Sequence, residues 1–535
     1  MSIEDATEPI AWDPEVGHPA RWSILAICCL CLVVIVIAVS SLNVAIPSIV
    51  DQLGPSPTQL LWIIDSYAIV FAGLLLPAGA LGDRFGRRGA LLVGLAVFGV
   101  GALAASGTDS PGELIAMRSV MGAGAALVMP ATLSLVTSVF APADRPKAIA
   151  TWAGFAGAGS ALGPPLSGLL LANFWWGSVF FINIPVVVVA MTLVVTRVPT
   201  SRDPHRRRLD LTGALLSIVA LGALLLGIIE GPEQGWASLL VLASFVLALA
   251  GGVAFVLWEL RTPDPMLDPR FFRIPAFRAG AAVVTAIFFG MFGMFFLITQ
   301  FLQQVKGYSP LVAGLSTLPS ALTLILVTPR SPLVVARFGA RPTVVGGMSL
   351  VTVGYVGMSL LTPTSPYVHV AAALVVVATG MGLSMAPAST AIVSALPQSK
   401  AGVASAVNDV TREVGGALGI AVLGSVLTAR YRAEMAVSLS DPALPASVPG
   451  DVVDAAGSSI GEALSAIATA PGSAAAPVLE LARISWTHAM SAAFLVSALV
   501  VGLMAVIARF SMPGRLPVRG GVGPARAPAE DDTTA

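Results

Sequence analysis

The chain has 535 residues, of which 56% are hydrophobic and only 11% are charged. Soluble globular proteins carry about 25% charged residues, so this composition excludes a soluble enzyme and indicates a protein that crosses the membrane many times. The formal net charge is zero, and we expect no nucleic acid among its partners.

The chain begins with a polar tail, residues 1–21, which we expect to be cytoplasmic. The apolar run that follows, residues 22–47, is too long for a signal peptide and should remain as a transmembrane helix. Cys28, Cys29 and Cys31 all lie in this run. Neighbouring thiols on one helix do not reach disulfide geometry, so we predict that they are packing residues.

Fourteen apolar segments of about 20 residues, the length that crosses a bilayer, follow one another along the chain. They lie at residues 22–47, 59–81, 89–107, 112–133, 146–171, 175–196, 209–229, 237–258, 279–302, 310–334, 342–361, 367–391, 401–428 and 486–509. With both termini in the cytoplasm, 23 of the 29 Lys and Arg residues fall on the cytoplasmic side, as the positive-inside rule requires. The exceptions are four outer residues, Lys306, Arg430, Arg432 and Arg483, and two within helices, Arg118 and Arg412.

An internal repeat supports this segmentation. Arg84–Arg88, Arg-Phe-Gly-Arg-Arg, recurs as Arg337–Arg341, Arg-Phe-Gly-Ala-Arg, and a Pro-Ala and a Lys-Ala pair recur at nearly the same offset. Helices 2–5 therefore correspond to helices 10–13. The predicted regions are an N-terminal six-helix half at 22–196, an inserted helix pair with flanking cytoplasmic loops at 197–278, a C-terminal six-helix half at 279–509 with an external loop at 431–485, and a disordered cytoplasmic tail at 510–535.

The turn between predicted helices 2 and 3 is short, cationic and rich in glycine. We name residues 79–88, Gly-Ala-Leu-Gly-Asp-Arg-Phe-Gly-Arg-Arg, the latch loop, because they are too few for a domain and suit a moving contact. Asp83 is predicted to sit against the positive N-terminus of a helix in the other half. The residues assigned to the latch are Gly79, Gly82, Asp83, Arg84, Gly86, Arg87 and Arg88.

Four charged residues inside predicted helices are candidates for proton coupling: Asp65, Arg118, Asp409 and Glu413. Each charge at a helix centre costs about 2.5–3.5 kcal/mol on insertion scales and needs a reason. Asp65 could exchange a proton for a cationic substrate, or be a structural carboxylate near a helix N-terminus. Asp409 and Glu413 share one helix face and form a second candidate site, or a polar contact between the halves. Arg412 points about 100° away from Glu413 in a helix, so adjacency does not establish a pair.

An aromatic and methionine cluster on predicted helix 9 could line a pocket for flat lipophilic cations. The alternative is a packing or lipid-facing stripe. The candidate cavity residues are Phe288, Met291, Phe292 and Phe295, joined by Trp62 and Tyr67 from helix 2.

The latch loop resembles the signature loop between helices 2 and 3 of the major facilitator superfamily. Helix 5 carries Gly157, Gly159, Gly163 and Pro164 in a pattern that resembles the antiporter motif of proton-exchanging exporters. These glycines would let the helix pack closely and bend. Over nearly its whole length the chain resembles the fourteen-helix drug:proton antiporter family, which includes quaternary-ammonium and methyl-viologen resistance exporters.

The resemblance implies an all-α major facilitator fold and proton-coupled export of amphipathic, often cationic compounds by alternating access. It also implies a part for Arg118 in proton coupling. Members often have an Asp in helix 1 where this chain has Ala38, so the proton stoichiometry is not carried over.

Other functions receive less support from the sequence. An exporter of an endogenous natural product or lipid fits the same features. A membrane enzyme or sensor is less well supported, because the sequence shows no metal or nucleophile cluster around its scattered histidines, His18, His205, His369 and His488. We therefore expect no catalysis, cofactor or metal. The sequence contains no phosphate-binding loop, because none of its three Lys residues follows a Gly. The expected partners are small substrates, protons and the lipid bilayer around a multi-pass monomer in the cell membrane.

Overall fold

The computed structural model describes residues 16–55, 57–200, 210–396, 400–440, 449–469 and 476–514. The basic loop 202–208 and most of both predicted tails lie outside these ranges. Within them the chain is helical and contains no strand.

The first half of the chain forms seven helices, because the sixth predicted segment is divided in two. Ser110 shows how the sequence starts one of them: its side chain accepts a hydrogen bond from the Glu113 N–H at 3.3 Å, and Pro111 occupies the first turn of α4. The helices are α1 (Arg21–Leu53), α2 (Pro57–Phe85), α3 (Arg87–Ala105), α4 (Pro111–Val139), α5 (Arg145–Leu171), α6 (Ser178–Phe181) and α7 (Asn183–Arg197).

Two helices, α8 (Leu211–Gln234) and α9 (Leu239–Glu259), stand between the halves in the chain. The Asp210 side chain caps α8 by accepting a hydrogen bond from the Gly213 N–H at 2.7 Å. Helix α8 packs against α2 of the first half and against the fourth long helix of the second half, α16 (Ala401–Ser438). This pair therefore lies along one side of the contact between the halves.

The second half begins with α10 (Pro275–Gln300), which a π-helical turn extends over Phe301–Val305. The next predicted segment is divided into three short helices whose first turns contain prolines, since proline lacks the N–H that a helix interior needs. The remaining helices are α11 (Pro310–Leu315), α12 (Leu318–Val327), α13 (Ser331–Phe338), α14 (Ala340–Ser359), α15 (Tyr367–Ser394), α16, α17 (Gly450–Ser458), α18 (Ile460–Thr469) and α19 (Ala476–Ser511).

The structure differs from the sequence prediction at the boundaries of the predicted external loop. Helix α16 continues ten residues past its predicted end, and α19 begins ten residues before its predicted start, so the connection between them is shorter than 431–485 and contains α17 and α18. The Tyr431 hydroxyl donates a hydrogen bond to the Ala456 carbonyl at 2.8 Å, and Met435 is fully buried. This hairpin covers the end of α16 and stabilises turns that lie beyond the apolar segment.

Twelve helical segments among the described residues are long and apolar enough to cross a membrane. Helices α5 and α14 have 27 and 20 residues but fall outside this group. Gly, Ser and Thr make up a larger fraction of these two helices than of the other long helices, which lowers their mean hydropathy. Length and composition thus indicate a multi-pass membrane protein. The three cysteines of α1 are buried free thiols, as the sequence predicts.

The internal repeat is visible in the packing of the halves. A Cβ atom added to Gly94 of α3 would lie 2.8 Å from the Gly124 carbonyl oxygen of α4. At the corresponding crossing of α14 and α15, a Cβ atom added to Gly347 would lie 2.6 Å from the Gly380 carbonyl oxygen. Small residues let membrane helices approach closely, and both halves use them at the same place.

Candidate functional site

Arg118 of α4 is buried in the first half, with 1% of its surface exposed. Its Nε donates a hydrogen bond to the Ile63 carbonyl at 3.1 Å, and its guanidinium lies 4.5 Å from the centre of the Tyr67 ring. Asp65, which is half-buried, is close enough to interact electrostatically with Arg118. The structure therefore brings three of the predicted residues, Asp65, Tyr67 and Arg118, to one place on α2 and α4.

Helix α16 carries the charges of the second half. Arg412 lies 3.4 Å from Asp409, measured between Nη1 and Oδ1, and both side chains are buried. Glu413 is half-buried and interacts electrostatically with Arg412 and with Tyr67 of α2. The three-residue spacing pairs Arg412 with Asp409, a pair that the sequence analysis did not identify.

These groups form one cluster, because Glu413 of α16 and Tyr67 of α2 interact across the boundary between the halves. The Arg412 guanidinium also lies 5.2 Å from the Trp152 ring of α5 and 4.6 Å from the Phe288 ring of α10. Burying a cluster of charges inside a helical bundle is energetically costly. Trp152 is a residue of the cluster that the sequence analysis did not identify.

The latch loop makes a direct contact with the other half. The Asp83 carboxylate accepts hydrogen bonds from the Gly402 N–H at 2.9 and 3.0 Å and from the Val403 N–H at 3.3 Å, in the first turn of α16. Arg87 donates to the same carboxylate at 2.9 Å. A carboxylate at a helix N-terminus satisfies amide groups that have no partner within the helix.

Glycines at the same end bring the two backbones together. A Cβ atom added to Gly79 would lie 2.6 Å from the Gly402 carbonyl oxygen, and one added to Gly402 would lie 2.5 Å from the Gly79 carbonyl oxygen. Gly82 faces Ala90 at an ordinary contact distance of 3.6 Å. Gly86 is buried, whereas Arg84 and Arg88 are half-buried, and Arg88 donates a hydrogen bond to the Val195 carbonyl at 2.6 Å.

The motif of helix 5 lies between two neighbouring helices. A Cβ atom on Gly157 would lie 2.9 Å from Leu324 of α12, and one on Gly159 would lie 3.2 Å from Val36 of α1. Gly163 faces Ser40 of α1 even more closely. The Pro164 side chain is outside the described part of the chain. The glycines thus provide close packing of α5 against both halves.

The predicted cavity residues occupy different environments. Phe288 and Met291 are buried, whereas Trp62, Phe292 and Phe295 are half-buried. The Phe292 ring packs against Gly416 of α16. Tyr67 is buried against Arg118, and Phe288 contacts Arg412, so these two residues touch charged groups of the central cluster. Among the described residues, no group of three His, Cys, Asp or Glu side chains is arranged to hold a metal ion.

Known families and proteins resemble this chain over most of its length. Residues 28–420 match the model of the family described as the Major Facilitator Superfamily. The chain is 34% identical to the multidrug efflux pump LfrA of Mycolicibacterium smegmatis, over 90% of this chain and 95% of that protein. It is 32% identical to the methyl viologen resistance protein SmvA of Salmonella typhimurium, over 91% and 99% of the two chains.

Two further matches extend this comparison. The chain is 31% identical to the tetracenomycin C resistance and export protein of Streptomyces glaucescens, over 96% of both chains. The crystal structure of the human organic anion transporter MFSD10 has a TM-score of 0.59 at 15% identity, covering 90% of this chain and 100% of that one. At this identity the likeness concerns the fold alone.

Proposed function

Since the chain belongs to the major facilitator superfamily, we propose that it is a proton-coupled exporter of amphipathic, often cationic compounds that works by alternating access. Relatives that match most of its length are named as a multidrug efflux pump, a methyl viologen resistance protein and an antibiotic resistance and export protein. Drug export across a membrane is therefore the activity. Proton coupling rests on one observation, the buried charge cluster of α2, α4 and α16.

The test of this function is efflux driven by an imposed proton gradient. In proteoliposomes that hold the full chain, we expect movement of lipophilic cationic dyes to follow the pH gradient and to stop when a protonophore removes it. Liposomes without protein provide the control. Dye movement that persists without the gradient would contradict proton coupling while leaving transport itself in place.

Two carboxylates receive specific roles in the proposal. Asp65 recognises the cation, because it lies two turns into α2 from the proposed outer side, near Arg118. Glu413 exchanges the proton, because it lies near the middle of the bundle and interacts with groups of both halves. Asp409 is the alternative proton carrier. A carboxylate that binds either a proton or a cation couples the two, because each excludes the other.

These roles are tested by Asp65→Asn, Asp409→Asn and Glu413→Gln. We expect the essential variant to lose substrate-induced proton release in detergent while it remains folded. Wild-type release in all three variants would contradict the assignment. It would then direct attention to Arg118 and to Glu230, a buried acid of α8.

The proposed arrangement in the cell membrane is a monomer of fourteen transmembrane helices with both termini in the cytoplasm. The distribution of basic residues supports it. A cysteine placed at exposed Gly450 should react with a membrane-impermeant maleimide in intact cells, and a cysteine at exposed Phe85 should not. Labelling at Phe85 from outside would overturn this orientation.

Export of an endogenous natural product is the second candidate. The match to the tetracenomycin C resistance and export protein favours it. Deletion of the gene that encodes the chain in its own organism distinguishes the two proposed functions. Intracellular accumulation of one self-made compound supports the second candidate, and sensitivity to a broad panel of added drugs supports the first.

A further inference from the structure

Arg412 occupies an unusual place between the halves. Its guanidinium lies 5.2 Å from the centre of the Trp152 ring and 4.6 Å from the centre of the Phe288 ring, both within the range of cation–π attraction. Trp152 belongs to α5 of the first half and Phe288 to α10 of the second, and 1% and 2% of their surfaces are exposed. We name these two rings the aromatic cage.

Polar groups hold Arg412 only loosely in this position. Its bond to Asp409 Oδ1 is 3.4 Å long, beyond the usual range for a charge-assisted hydrogen bond. Within the described part of the chain, Asp409 Oδ2 and Asn408 Oδ1 accept no hydrogen bond, although 1% and 0% of these residues are exposed. Buried acceptors without a donor are costly, so their presence beside a guanidinium points to a second arrangement.

Arginine is suited to two such arrangements. Its planar guanidinium stacks on aromatic rings, and the same fork of N–H groups also fits a carboxylate in two parallel hydrogen bonds. In the structure the first arrangement is occupied. The second lies one small side-chain movement away, because Asp409 is three residues earlier on the same helix.

On the basis of the proposed function, we propose that the aromatic cage binds the flat or quaternary part of organic cations, in addition to their recognition by Asp65, and that Arg412 is its tethered occupant. A substrate cation replaces the guanidinium between Trp152 and Phe288, and Arg412 moves onto the unpartnered oxygens of Asp409 and Asn408. The ligand class is a flat aromatic or quaternary organic cation, because these ligands gain the ring contacts that Arg412 gives up.

The exchange also links recognition to the two halves. With Arg412 in the cage, one side chain of α16 bridges α5 and α10. A substrate in its place bridges the same helices without a covalent tie to α16. The cage therefore distinguishes a loaded from an empty transporter by the position of one guanidinium.

The test is equilibrium binding of ethidium, a permanently charged planar cation, to the full chain in detergent, measured by fluorescence polarisation. Because Arg412 competes with the ligand, Arg412→Gln should tighten binding by about tenfold, whereas Trp152→Leu and Phe288→Leu should each weaken it by about tenfold. Arg412→Lys keeps the charge beside Asp409 but loses planar stacking, and should tighten binding to a smaller extent. Phe289→Leu, a buried neighbouring ring outside the cage, serves as the matched control and should change binding less than twofold.

Uncharged phenanthridine tests whether charge matters. Arg412→Gln should tighten ethidium binding more than phenanthridine binding, and equal tightening would show only vacated space and overturn the proposal. Weaker or unchanged ethidium binding in folded Arg412→Gln and Arg412→Lys would also overturn it, as would a wild type that does not bind ethidium. Proton-driven efflux is measured separately in proteoliposomes, so failure of the cage and failure of the proposed transport give different results.

Discussion

The latch loop and its repeat in the second half share two contacts but differ in a third. In both loops an arginine lies over the ring of the following phenylalanine: Arg84 is 5.2 Å from the centre of Phe85, and Arg337 is 5.4 Å from the centre of Phe338. Both loops end in an arginine that donates a 2.6 Å hydrogen bond to a carbonyl near the end of the last helix of its own half. These shared contacts lie within one half.

In their charged residues, the loops differ by a single ion pair. The first loop has Asp83 and Arg87, both buried, whereas the repeat has Ala336 and Ala340 at the corresponding positions. Asp83 is also the residue that reaches the first turn of α16. The comparison indicates that the repeated residues fold each half, whereas the unrepeated pair joins the halves.

The largest expected effect comes from removing this unrepeated charge. Asp83→Asn should lower the transport rate by at least about tenfold, because hydrogen bonds to a charged group contribute about 1.5–3 kcal/mol. Ligand binding should persist, since Asp83 lies at the end of the bundle and not in the central cluster. The measurement is dye efflux from proteoliposomes alongside equilibrium binding in detergent.

The matched control for this prediction is the exposed counterpart in the repeat. Ala336→Asn should change transport less than twofold, because Ala336 makes no comparable contact with α16. Equal loss of binding and transport in Asp83→Asn would contradict a purely conformational role for the latch loop.

The second prediction concerns the backbone contact next to Asp83. In Gly402→Ala the new methyl group would meet the Gly79 carbonyl oxygen at 2.5 Å, so α2 and α16 must separate at this end. Overpacking costs about 1–3 kcal/mol, and we expect transport to fall by about fivefold or more. Spin labels at exposed Phe85 and Phe338 should report a longer distance between the halves.

Gly346→Ala provides the control for the backbone contact, because a Cβ atom there has no neighbour within 4 Å. It should leave both the distance and the transport rate unchanged. An unchanged label distance in Gly402→Ala would show that the Gly79–Gly402 crossing does not set the conformation of this end.

The sequence predicts much of this architecture because helix length and repetition are local properties. Each predicted segment corresponds to a helix or to a group of consecutive short helices. The prediction from hydropathy was wrong at the end of α16. Arg430 and Arg432 end the apolar segment, but the helix continues because the α17–α18 hairpin packs over Met435. A boundary that depends on tertiary packing is not contained in a window of hydropathy.

The site was predictable only where its residues share a helix. The four-residue spacing of Asp409 and Glu413 places them on one face, but nothing in the sequence brings Trp152 and Phe288 to Arg412, since they lie on three different helices. The i,i+3 spacing of Asp409 and Arg412 was an available signal.

The third prediction tests what the two loops share. Gly86 and Gly339 have φ values of 113° and 90°, which side chains other than glycine rarely adopt. Gly86→Ala and Gly339→Ala should each destabilise the protein by about 1–3 kcal/mol. Thermal unfolding in detergent should show similar decreases for both variants and none for Gly89→Ala, which has open space and an ordinary φ. A decrease confined to one variant would contradict a shared folding role.

The smallest effects are expected at the last arginine of each loop. Arg88 and Arg341 each tie a loop to its own half, through the Val195 and Met512 carbonyls, and both side chains are half-buried. Because solvent competes for such contacts, Arg88→Ala and Arg341→Ala should each cost less than about 1 kcal/mol and change transport less than about twofold. Thermal unfolding and efflux measure these two quantities.

The double variant decides whether the loops act independently. If their repeated contacts stay within separate halves, the effects of Arg88→Ala and Arg341→Ala on unfolding should add to within about 0.5 kcal/mol. Asp83→Asn and Gly402→Ala, in contrast, alter one contact between α2 and α16, so their effects should not add. Strong coupling between the two arginines would mean that the repeated residues also join the halves, and the distinction drawn between the loops would fail.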